Sequence, residues 1–596
     1  MVSTRYALAV VSAVISASYA ISPTPFAKDI QNHVIYRGLK SSRNVEHFLN
    51  IPYGQDTSGS KRFTNPEPYI FPQGTKEYDA SVPGPICPQP VNPVFKFMSP
   101  PVNQSEDCLK LRVSRPMGVK AGDKLPVMVF IHGGGNFNEH VNEKTYDPEG
   151  LIHQSMENGL PVIYAAMNYR LSIFGFAVSE ALREKNSLNV ALKDQRLALQ
   201  WIRSNIACFG GDPDRITIFG QNTGALSVAH QVLAYGGTKA VPFHSAIMES
   251  STLEPTSASN ITRESFDGVA SMSGCSINGT FHSEATIDCL RALPFATLMN
   301  ITIAQHDSTA DQNDGDTYLP TIDGDFLPQL GSELLRKGSF PKMPVMIGWT
   351  EDDASMFTRP TIKTPADTLD FLYTDLLGGV TNSTLTDLLS LYPLSEFSSK
   401  AQAHSGVLTA EFYRASQIFR DIFLVCPPIL FGHAMARKYQ LEHVTPPVYY
   451  YHQNQTVLSD YLAAEFGSGS DSGLGVVYTS ELAYVFGNFS NYNSTGDIHP
   501  TGKDLELLKR QSRSWSSFAS EARPSLDERG HSTLEGWKPA YGIKSSMMDA
   551  SVFVVGGPEE GLSSIHGGTT TGLESQRLKD RCEFLNRDDV IAQLRY

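Results

Sequence analysis

The chain has a shortage of positive charge and of long apolar runs, and both shortages exclude classes of partner. Among 596 residues, 48 are Lys or Arg and 62 are Asp or Glu, which gives a formal net charge of −14. This acidity argues against nucleic acid and anionic membrane surfaces as partners. Beyond the amino-terminal segment, no stretch reaches the ~18 uninterrupted apolar residues of a membrane helix, so we expect no membrane span.

Internal repeats, charge runs and linker-like segments are also missing, which argues against a chain built from several separate modules. Hydrophobic residues make up 41% of the chain and charged residues 18%, values that exclude a disordered polar chain and a coiled coil. A chain of this length can bury a large core without structural metals. We therefore expect one large domain over residues 21–596, with neither a cofactor nor a metal.

The first twenty residues have the pattern of a signal peptide. Arg5 supplies a basic start, Ala7 to Ile15 form a short apolar core, and Ser18-Tyr19-Ala20 offers small residues around a cleavage point. The core is too short to span a bilayer, and a buried first strand is the structural alternative. The pattern predicts a protein that is secreted or resides in the lumen of the secretory pathway.

Sequons and cysteines fit the same compartment. Seven cysteines are few but sufficient for disulfide bonds, and their spacing alone leaves the pairing open. The Asn-x-Ser/Thr sequons predict a glycoprotein. They begin at Asn103, Asn260, Asn278, Asn300, Asn382, Asn454, Asn488 and Asn493.

Short apolar runs that alternate with helical patterns predict the fold class. Strands are expected at Pro126–Ile131, Val162–Met167, Ile216–Phe219, Ala246–Met248, Val345–Ile347, Val448–Tyr451 and Val552–Val555. Helical periodicity covers Leu192–Phe209 and begins again near Ala225, whereas the Gly/Ser/Thr-rich stretch Gly556–Gly572 predicts a flexible surface loop. Buried strands separated by helices indicate an α/β fold, with a mostly parallel sheet flanked by helices.

The chemistry-bearing feature is Gly220-Gln221-Asn222-Thr223-Gly224, which lies between a predicted strand and a predicted helix. Strand, tight turn and helix in this order match the Gly-x-Ser-x-Gly nucleophile elbow of α/β-hydrolases. The central residue is Asn222 instead of serine. Asparagine tolerates a positive φ better than most residues do, but an amide is not a nucleophile.

Long segments elsewhere make the chain resemble a type-B carboxylesterase/lipase, the cholinesterase-like α/β-hydrolase family, over nearly its full length. The matching segments are Phe48–Gly54, Ser105–Leu109, Asn168–Leu171, Asp194–Arg196 and Phe209–Pro213. The resemblance implies an α/β-hydrolase fold. It also implies disulfide bonds Cys87–Cys108, Cys275–Cys289 and Cys426–Cys582, with Cys208 left free. No tryptophan lies between Cys87 and Cys108, so the aromatic platform of cholinesterases is missing.

The resemblance also assigns site positions. It implies an oxyanion hole made by the amides of Gly134, Gly135 and Thr223, whose glycines are intact and can still polarise a carbonyl. It places Asp353 at the acid position and Tyr478 at the histidine position. A phenol with an ordinary pKa near ~10 is a poor general base at neutral pH.

Asn222, Asp353 and Tyr478 thus occupy the three positions of the triad. Two of them, Asn222 and Tyr478, are chemically wrong for ester hydrolysis. Natural repurposing explains two distant changes better than a designed inactivation, which usually alters one residue. Three histidines in matched segments, His132, His230 and His452, are expected to be structural.

Three functions follow from this degenerate triad. The first is a repurposed protein that binds a small hydrophobic molecule in the gorge, the pocket that the family's loops build above the sheet. Such a protein either catalyses a non-hydrolytic cyclisation, isomerisation or pericyclic step, or acts as a pseudoenzyme. The alternatives are a carboxylic ester hydrolase and a secreted binding or adhesion protein.

Overall fold

A computed structural model describes residues 24–91, 95–276, 279–309, 312–404, 406–467, 471–526, 530–566 and 571–596. The predicted signal peptide and the sequon at Asn278 lie outside the described residues. The strands are β1 Phe26–Asp29, β2 Val34–Arg37, β3 Leu39–Lys40, β4 Val45–Pro52, β5 Glu77–Asp79, β6 Lys110–Pro116, β7 Leu125–Ile131, β8 Ile163–Met167, β9 Gly211–Gln221, β10 Ser245–Glu249, β11 Val345–Thr350, β12 Val448–Gln453, β13 Ser551–Val555 and β14 Gly561–Ser564.

Eleven of these strands form one sheet in the order β14-β13-β12-β11-β10-β9-β7-β8-β6-β4-β3, and β1, β2 and β5 form a small second sheet. Strands β8, β7, β9, β10, β11, β12 and β13 run parallel to one another. The outer strands β14, β6, β4 and β3 pair antiparallel. The central strands are buried on both faces, which explains why their sequences are continuously apolar.

Helices flank the sheet. They are α1 Glu149–Glu157, α2 Ser172–Phe176, α3 Glu180–Glu184, α4 Val190–Asn205, α5 Thr223–Leu233, α6 Ile261–Met272, α7 Glu284–Ala292, α8 Phe295–Asp307, α9 Gly331–Lys337, α10 Pro365–Asp375, α11 Asn382–Ser390, α12 Ser398–Ala403, α13 Ala410–Arg420, α14 Cys426–Gln440, α15 Ser459–Phe466, α16 Leu482–Val485, α17 Phe489–Tyr492, α18 Gly502–Glu521, α19 Thr571–Ser575, α20 Leu578–Leu585 and α21 Asp588–Leu594. Helix α5 packs on β7, β9 and β10, α18 packs on β7 and β9, and α14 packs on β11 and β12.

The predicted strands and both predicted helices are confirmed, with ends that differ by a few residues. The loop prediction for Gly556–Gly572 is wrong in part. Residues Gly561–Ser564 form β14, which pairs antiparallel with β13 and closes one edge of the sheet. The polar composition of this segment suits an edge strand, which is covered on one side only.

Three disulfide bonds join the cysteine pairs that the resemblance implies, Cys87–Cys108, Cys275–Cys289 and Cys426–Cys582. The third closes a segment of 156 residues and links the start of α14 to α20. Cys208 is free and half-buried, and burial raises the pKa of its thiol to about 12. A thiol with such a pKa is inert at neutral pH.

Most described sequons fit a glycan. Asn103, Asn260, Asn300, Asn382 and Asn493 are exposed, and Asn454 is half-buried. Asn488 is different, since it is 4% exposed and its Nδ2 donates to the carbonyls of Thr145 and Asp147. This packing leaves no room for a glycan on Nδ2 and removes Asn488 from the predicted sites.

One segment of the described chain, Ala410–Gln440, is long and apolar enough to cross a membrane. It comprises α13, a π-helical turn and α14, and 83% of its most apolar stretch is buried inside the fold. A core helix of a globular protein meets the same criteria. The bent pair α7 and α8 also meets them when taken together, with an angle of 113° at its break.

The parallel strands bring the predicted site residues to one edge of the sheet. Strands β7, β9 and β11 end immediately before the glycine loop, Asn222 and the Asp353 turn. Since parallel strands end at the same edge, these three segments become neighbours although they are far apart in sequence.

Candidate functional site

Asn222 lies in a tight turn between β9 and α5, with φ 59° and ψ −131°. This backbone conformation is strained for any residue with a side chain. The two flanking glycines are required because the turn presses against β7. A Cβ on Gly220 or Gly224 would lie 2.6 Å or 2.2 Å from the carbonyl oxygen of Ile131. The turn therefore has the geometry that the sequence predicts for a nucleophile elbow.

The side chain of Asn222 is held by the glycine loop. Its Oδ1 accepts a hydrogen bond from the backbone amide of Gly135 at 3.3 Å. The sequence predicts that this amide is open to a substrate carbonyl. Instead, it is satisfied by an amide oxygen of the chain itself.

The other two predicted oxyanion donors differ from Gly135. Among the described residues, no hydrogen-bond partner is found for the amides of Gly134 and Thr223. The hydroxyl of Thr223 accepts a hydrogen bond from the amide of Asn136 at 3.3 Å, so it supports the glycine loop. Thr223 is 2% exposed and its hydroxyl is not available as a substitute nucleophile.

Asp353 follows β11 and is fully buried. Its Oδ2 accepts a hydrogen bond from the amide of Thr350 at 3.0 Å, whereas its Oδ1 has no partner among the described residues. Burial raises the pKa of Asp353 to about 7, although the Thr350 amide opposes this shift. No hydrogen bond joins Asp353 to Tyr478 in the described structure.

The segment that carries Tyr478 is fixed to the segment that carries Asp353. The carboxylate Oδ2 of Asp352 accepts a hydrogen bond from the amide of Val476 at 3.1 Å. The hydroxyl of Ser355 donates to the carbonyl of Leu474 at 2.7 Å. These bonds set the position of Tyr478 without a direct contact to the acid.

Tyr478 is 9% exposed and packs edge-on against Phe357, with ring centroids 4.9 Å apart. Burial raises the pKa of its phenol well above the ordinary value, and the negative charges of Glu139, Asp316 and Asp353 raise it further. The phenol is therefore neutral at physiological pH. It can donate a hydrogen bond but cannot act as a general base.

The gorge is a cavity of about 230 Å³ that contains Asn222, Tyr478, Gly134 and Gly135 in its wall. Asp353 and Thr223 lie behind this wall and do not line it. Six further Phe and Tyr side chains line it together with Tyr478: Phe95, Phe97, Phe137, Tyr146, Phe357 and Tyr492. A larger groove of about 900 Å³ lies elsewhere, between α9, α14 and α21, and contains none of the predicted site residues.

Glu139 also lines the gorge, and the sequence analysis does not identify it. Its Oε2 accepts hydrogen bonds from the amide of Gly133 at 3.1 Å and from the hydroxyl of Tyr146 at 2.8 Å. Burial raises the pKa of Glu139 to about 7 despite these two bonds. Its position could have indicated a role in the site, because Glu139 follows the three glycines of the loop by four residues.

Asp316 lines the gorge beside the same glycine loop. Its Oδ1 is so close to Gly135 that a Cβ there would lie 2.4 Å from it. Burial raises the pKa of Asp316 to about 7. The carboxyl group of Glu254 is close by, and its own pKa is raised well above the ordinary value by burial and by Asp316. No local motif marks either residue.

A second group of acids lies behind the elbow. Glu249 is fully buried and accepts a hydrogen bond from Nε1 of Trp515 at 2.5 Å, and burial raises its pKa to about 8. Glu481 is also fully buried, and neither of its carboxyl oxygens has a partner among the described residues. Burial raises its pKa well above the ordinary value, as do the charges of Glu249 and Asp353.

The three histidines of the matched segments have structural environments. The ring of His132 stacks on Tyr169 with centroids 4.4 Å apart, and burial lowers its pKa to about 3. Burial also lowers the pKa of His230 to about 4. His452 bonds through Nε2 to Glu351 at 2.6 Å. Among the described residues, no group of three His, Cys, Asp or Glu side chains could hold a metal ion.

Comparison with known proteins gives a family match. Residues 35–551 match the model of the carboxylesterase family. A secreted lipase of Arthroderma benhamiae is 40% identical over 96% of this chain and 96% of its own length. A protein of Byssochlamys spectabilis named "Inactive carboxylesterase-like protein VdtD" is 38% identical over 94% of each chain.

Solved structures show the same fold at lower identity. Aspergillus niger EstA superposes with a TM-score of 0.75 at 24% identity, covering 96% of this chain and 99% of EstA. A thermophilic esterase named for the pNB ester superposes with a TM-score of 0.71, also at 24% identity, over 93% of this chain and its own full length. At this identity the likeness concerns the fold alone.

Proposed function

The chain belongs to the carboxylesterase family, and we propose that it is a secreted member that does not hydrolyse esters and that binds a small, largely apolar molecule in its gorge. The observation that carries the proposal is the hydrogen bond from Gly135 to Asn222. An amide stands where the nucleophile would be, and its oxygen uses an amide that would otherwise stabilise an oxyanion. Acyl transfer requires a nucleophile and oxyanion donors, and the side chain of Asn222 affects both.

The lack of a base at the histidine position of the triad supports the same proposal. Tyr478 has a strongly raised pKa and stays neutral, so it cannot accept a proton from a nucleophile. His132 and His230 are buried and lie outside the gorge wall. His306 does line the gorge, where its Nε2 bonds to the carbonyl of Gly315 at 3.0 Å and its ring stacks on Phe137 at 4.1 Å, but it does not stand at the histidine position of the triad.

The gorge has the properties of a small-molecule site. Such sites are concave and mostly apolar, with a few polar groups that orient the ligand. The cavity of about 230 Å³ combines an aromatic wall with the polar groups of Asn222, Tyr478, Glu139 and Asp316. Its volume suits a compound of one or two rings.

The relatives support secretion more clearly than they support activity. Three of the sequence relatives are named secreted lipases, and the three disulfide bonds fit an oxidising compartment. On activity, the names diverge, since one relative is a lipase and another is called inactive. The side chains at positions 222 and 478 favour the inactive class for this chain.

A non-hydrolytic enzyme is the second candidate, and the pair Glu139 and Asp316 favours it. Both carboxyl groups line the gorge with pKa values of about 7, the range in which a group can both donate and accept protons at neutral pH. Such groups suit an isomerisation or a cyclisation of a bound carbonyl compound. This candidate differs from pure binding only in that the ligand leaves changed.

Two measurements on the purified full-length protein test the proposal. With p-nitrophenyl butyrate, we expect no release of nitrophenol above the buffer rate. With benzyl alcohol as a neutral aromatic probe, we expect saturable binding by isothermal titration calorimetry. Ester turnover proportional to protein concentration would refute the loss of hydrolysis. Failure of benzyl alcohol to bind at millimolar concentration would refute the gorge as an aromatic site.

A further inference from the structure

The gorge and the wall behind it are rich in acids that form no ion pair among the described residues. Seven carboxyl groups lie there, each with a raised pKa, and none forms an ion pair among the described residues: Glu139, Glu143, Glu249, Glu254, Asp316, Asp353 and Glu481. No Lys or Arg is among the described residues that line the cavity. Buried acids without partners tend to keep their protons at neutral pH, and a cation bound beside them favours their ionised form.

Two of these acids face the cavity from adjacent positions. Glu139 packs against Gly134, where a Cβ would lie 2.9 Å from its Cγ, and Asp316 packs against Gly135. The Oε2 atom of Glu139 already accepts two hydrogen bonds, which fixes the carboxyl group and leaves Oε1 for a ligand. The charges of both acids also reach the phenol of Tyr478.

A buried hydroxyl in the same wall is an independent observation that points to a polar ligand. Tyr492 is 2% exposed and lines the gorge, and its hydroxyl has no hydrogen-bond partner among the described residues. Leaving such a group unpaired costs roughly 1–3 kcal/mol, so buried hydroxyls usually have a partner. A ligand with a polar group could supply one.

We propose that the gorge binds a small aromatic amine, whose protonated nitrogen lies on the acidic side of the gorge that Glu139 and Asp316 form and whose ring packs on the aromatic wall. The inference rests on the proposed function and names the class of its ligand. An ammonium group brings a positive charge to these acids and can donate up to three hydrogen bonds to carboxylate and hydroxyl oxygens in the wall. The faces of the surrounding Phe and Tyr rings favour the same charge. A carboxylate ligand would be repelled.

The proposal has a definite pH dependence. A bound cation favours the ionised form of Glu139 and Asp316, so binding releases protons and affinity rises as pH increases from 6 to 8. A neutral ligand that accepts hydrogen bonds from the protonated acids would show the opposite trend. The titratable groups that face these two acids are Glu143, Tyr146, Tyr169, Glu254, His306, Tyr478 and Tyr492.

The test compares three probes of one size by isothermal titration calorimetry: benzylamine, benzyl alcohol and benzoate. We expect benzylamine to bind at least tenfold more tightly than benzyl alcohol at pH 8, and benzoate not to bind. Between pH 6 and pH 8, benzylamine affinity should rise about tenfold. Glu139→Gln and Asp316→Asn should each weaken the binding of benzylamine at least tenfold. The affinity for benzyl alcohol should stay within threefold of the wild-type value.

Asp387→Asn serves as the matched control, since Asp387 is exposed on α11, does not line the gorge and should not affect either probe. A melting temperature within a few degrees of wild type shows that each variant is folded. Equal binding of benzylamine and benzyl alcohol, tightest binding of benzoate, or benzylamine affinity that falls with pH would overturn the inference. In each of these cases an aromatic probe still binds, so the proposed function survives. If no probe binds, both are refuted.

Discussion

The backbone amide of Gly135 donates a hydrogen bond to the side-chain oxygen of Asn222 at 3.3 Å. In a serine hydrolase, the amide at this position stabilises the developing oxyanion. Here the residue at the nucleophile position closes part of the oxyanion hole, so a single substitution removes the nucleophile and blocks one of its supports. This hydrogen bond supports the proposal that the gorge does not perform acyl transfer.

The first prediction concerns restoration of the triad. Asn222→Ser supplies a hydroxyl and releases the Gly135 amide, and Tyr478→His supplies a base near the free Oδ1 of Asp353. Because triad members act as a unit, we expect each single variant to remain inactive. The double variant should exceed either one by at least ~10³-fold in hydrolysis of p-nitrophenyl butyrate. A folded double variant that stays inert would show that the gorge has diverged beyond these two positions.

The second prediction concerns the space beside the glycine loop. Gly135→Ala would place a Cβ 2.4 Å from Asp316, whereas Gly159→Ala meets nothing within 4 Å, and both glycines have positive φ. Backbone strain should lower the free energy of unfolding of both variants by about 1–2 kcal/mol. Only Gly135→Ala should show a further decrease in the free energy of unfolding, measured with urea. It should also weaken the binding of benzyl alcohol at least tenfold. Equal effects of the two substitutions would contradict the close packing of Asp316.

The third prediction concerns pH and stability. Glu249 has a pKa of about 8 in the folded protein and near 4.5 as an ordinary side chain, so the unfolded state loses its proton first. Its contribution to stability is fully present below pH 4.5 and is lost as pH rises towards 8. Glu249→Gln keeps an acceptor for Trp515 without the charge. It should stabilise the protein by a few kcal/mol (~1.4 kcal/mol per pKa unit at most) at pH 8 and hardly at all at pH 4.5.

Urea unfolding of wild type and Glu249→Gln at both pH values measures this difference. Titrating groups that do not interact with Glu249 cancel in the comparison, whereas Glu481, whose pKa the Glu249 charge raises, adds to it in the same direction. A stability difference that does not change with pH would show that Glu249 is not protonated in the folded state.

The fourth prediction concerns glycans. Glycopeptide mass spectrometry of the protein secreted from a eukaryotic host should find glycans at the exposed Asn103, Asn260, Asn300, Asn382 and Asn493. Asn488 should carry none, because its Nδ2 is buried and bonded to two carbonyls. An occupied Asn488 in folded protein would contradict the packing of α17 against the loop before α1.

The central sheet was predictable because local pattern and burial agree there. Strands such as Val345–Thr350 are continuously apolar, and the elbow at Asn222 carries its own glycine signature. The edge strand β14 was missed because a polar, glycine-rich segment can pair on one side without an apolar pattern. Three disulfide bonds followed from the family resemblance and could not have been paired from spacing alone.

The polar side of the gorge could not be predicted because distant segments build it. Asp316 and Tyr492 belong to no motif, and only folding brings them beside Gly135 and Tyr478. The bond from Gly135 to Asn222 joins residues 87 positions apart. The sequence identifies the residue types at positions 134, 135 and 222. It does not show that the amide of Gly135 donates a hydrogen bond to Asn222.

The most direct test of the central claim is labelling of the purified wild-type protein with a fluorophosphonate probe, followed by intact-mass measurement. The probe reacts with an activated serine hydroxyl, and the elbow carries an amide at that position. We predict no mass increase under conditions in which an active serine esterase is fully labelled. Stoichiometric labelling of the wild-type chain would contradict the account, because it would require an activated nucleophile that Asn222, Thr223 and Tyr478 do not provide.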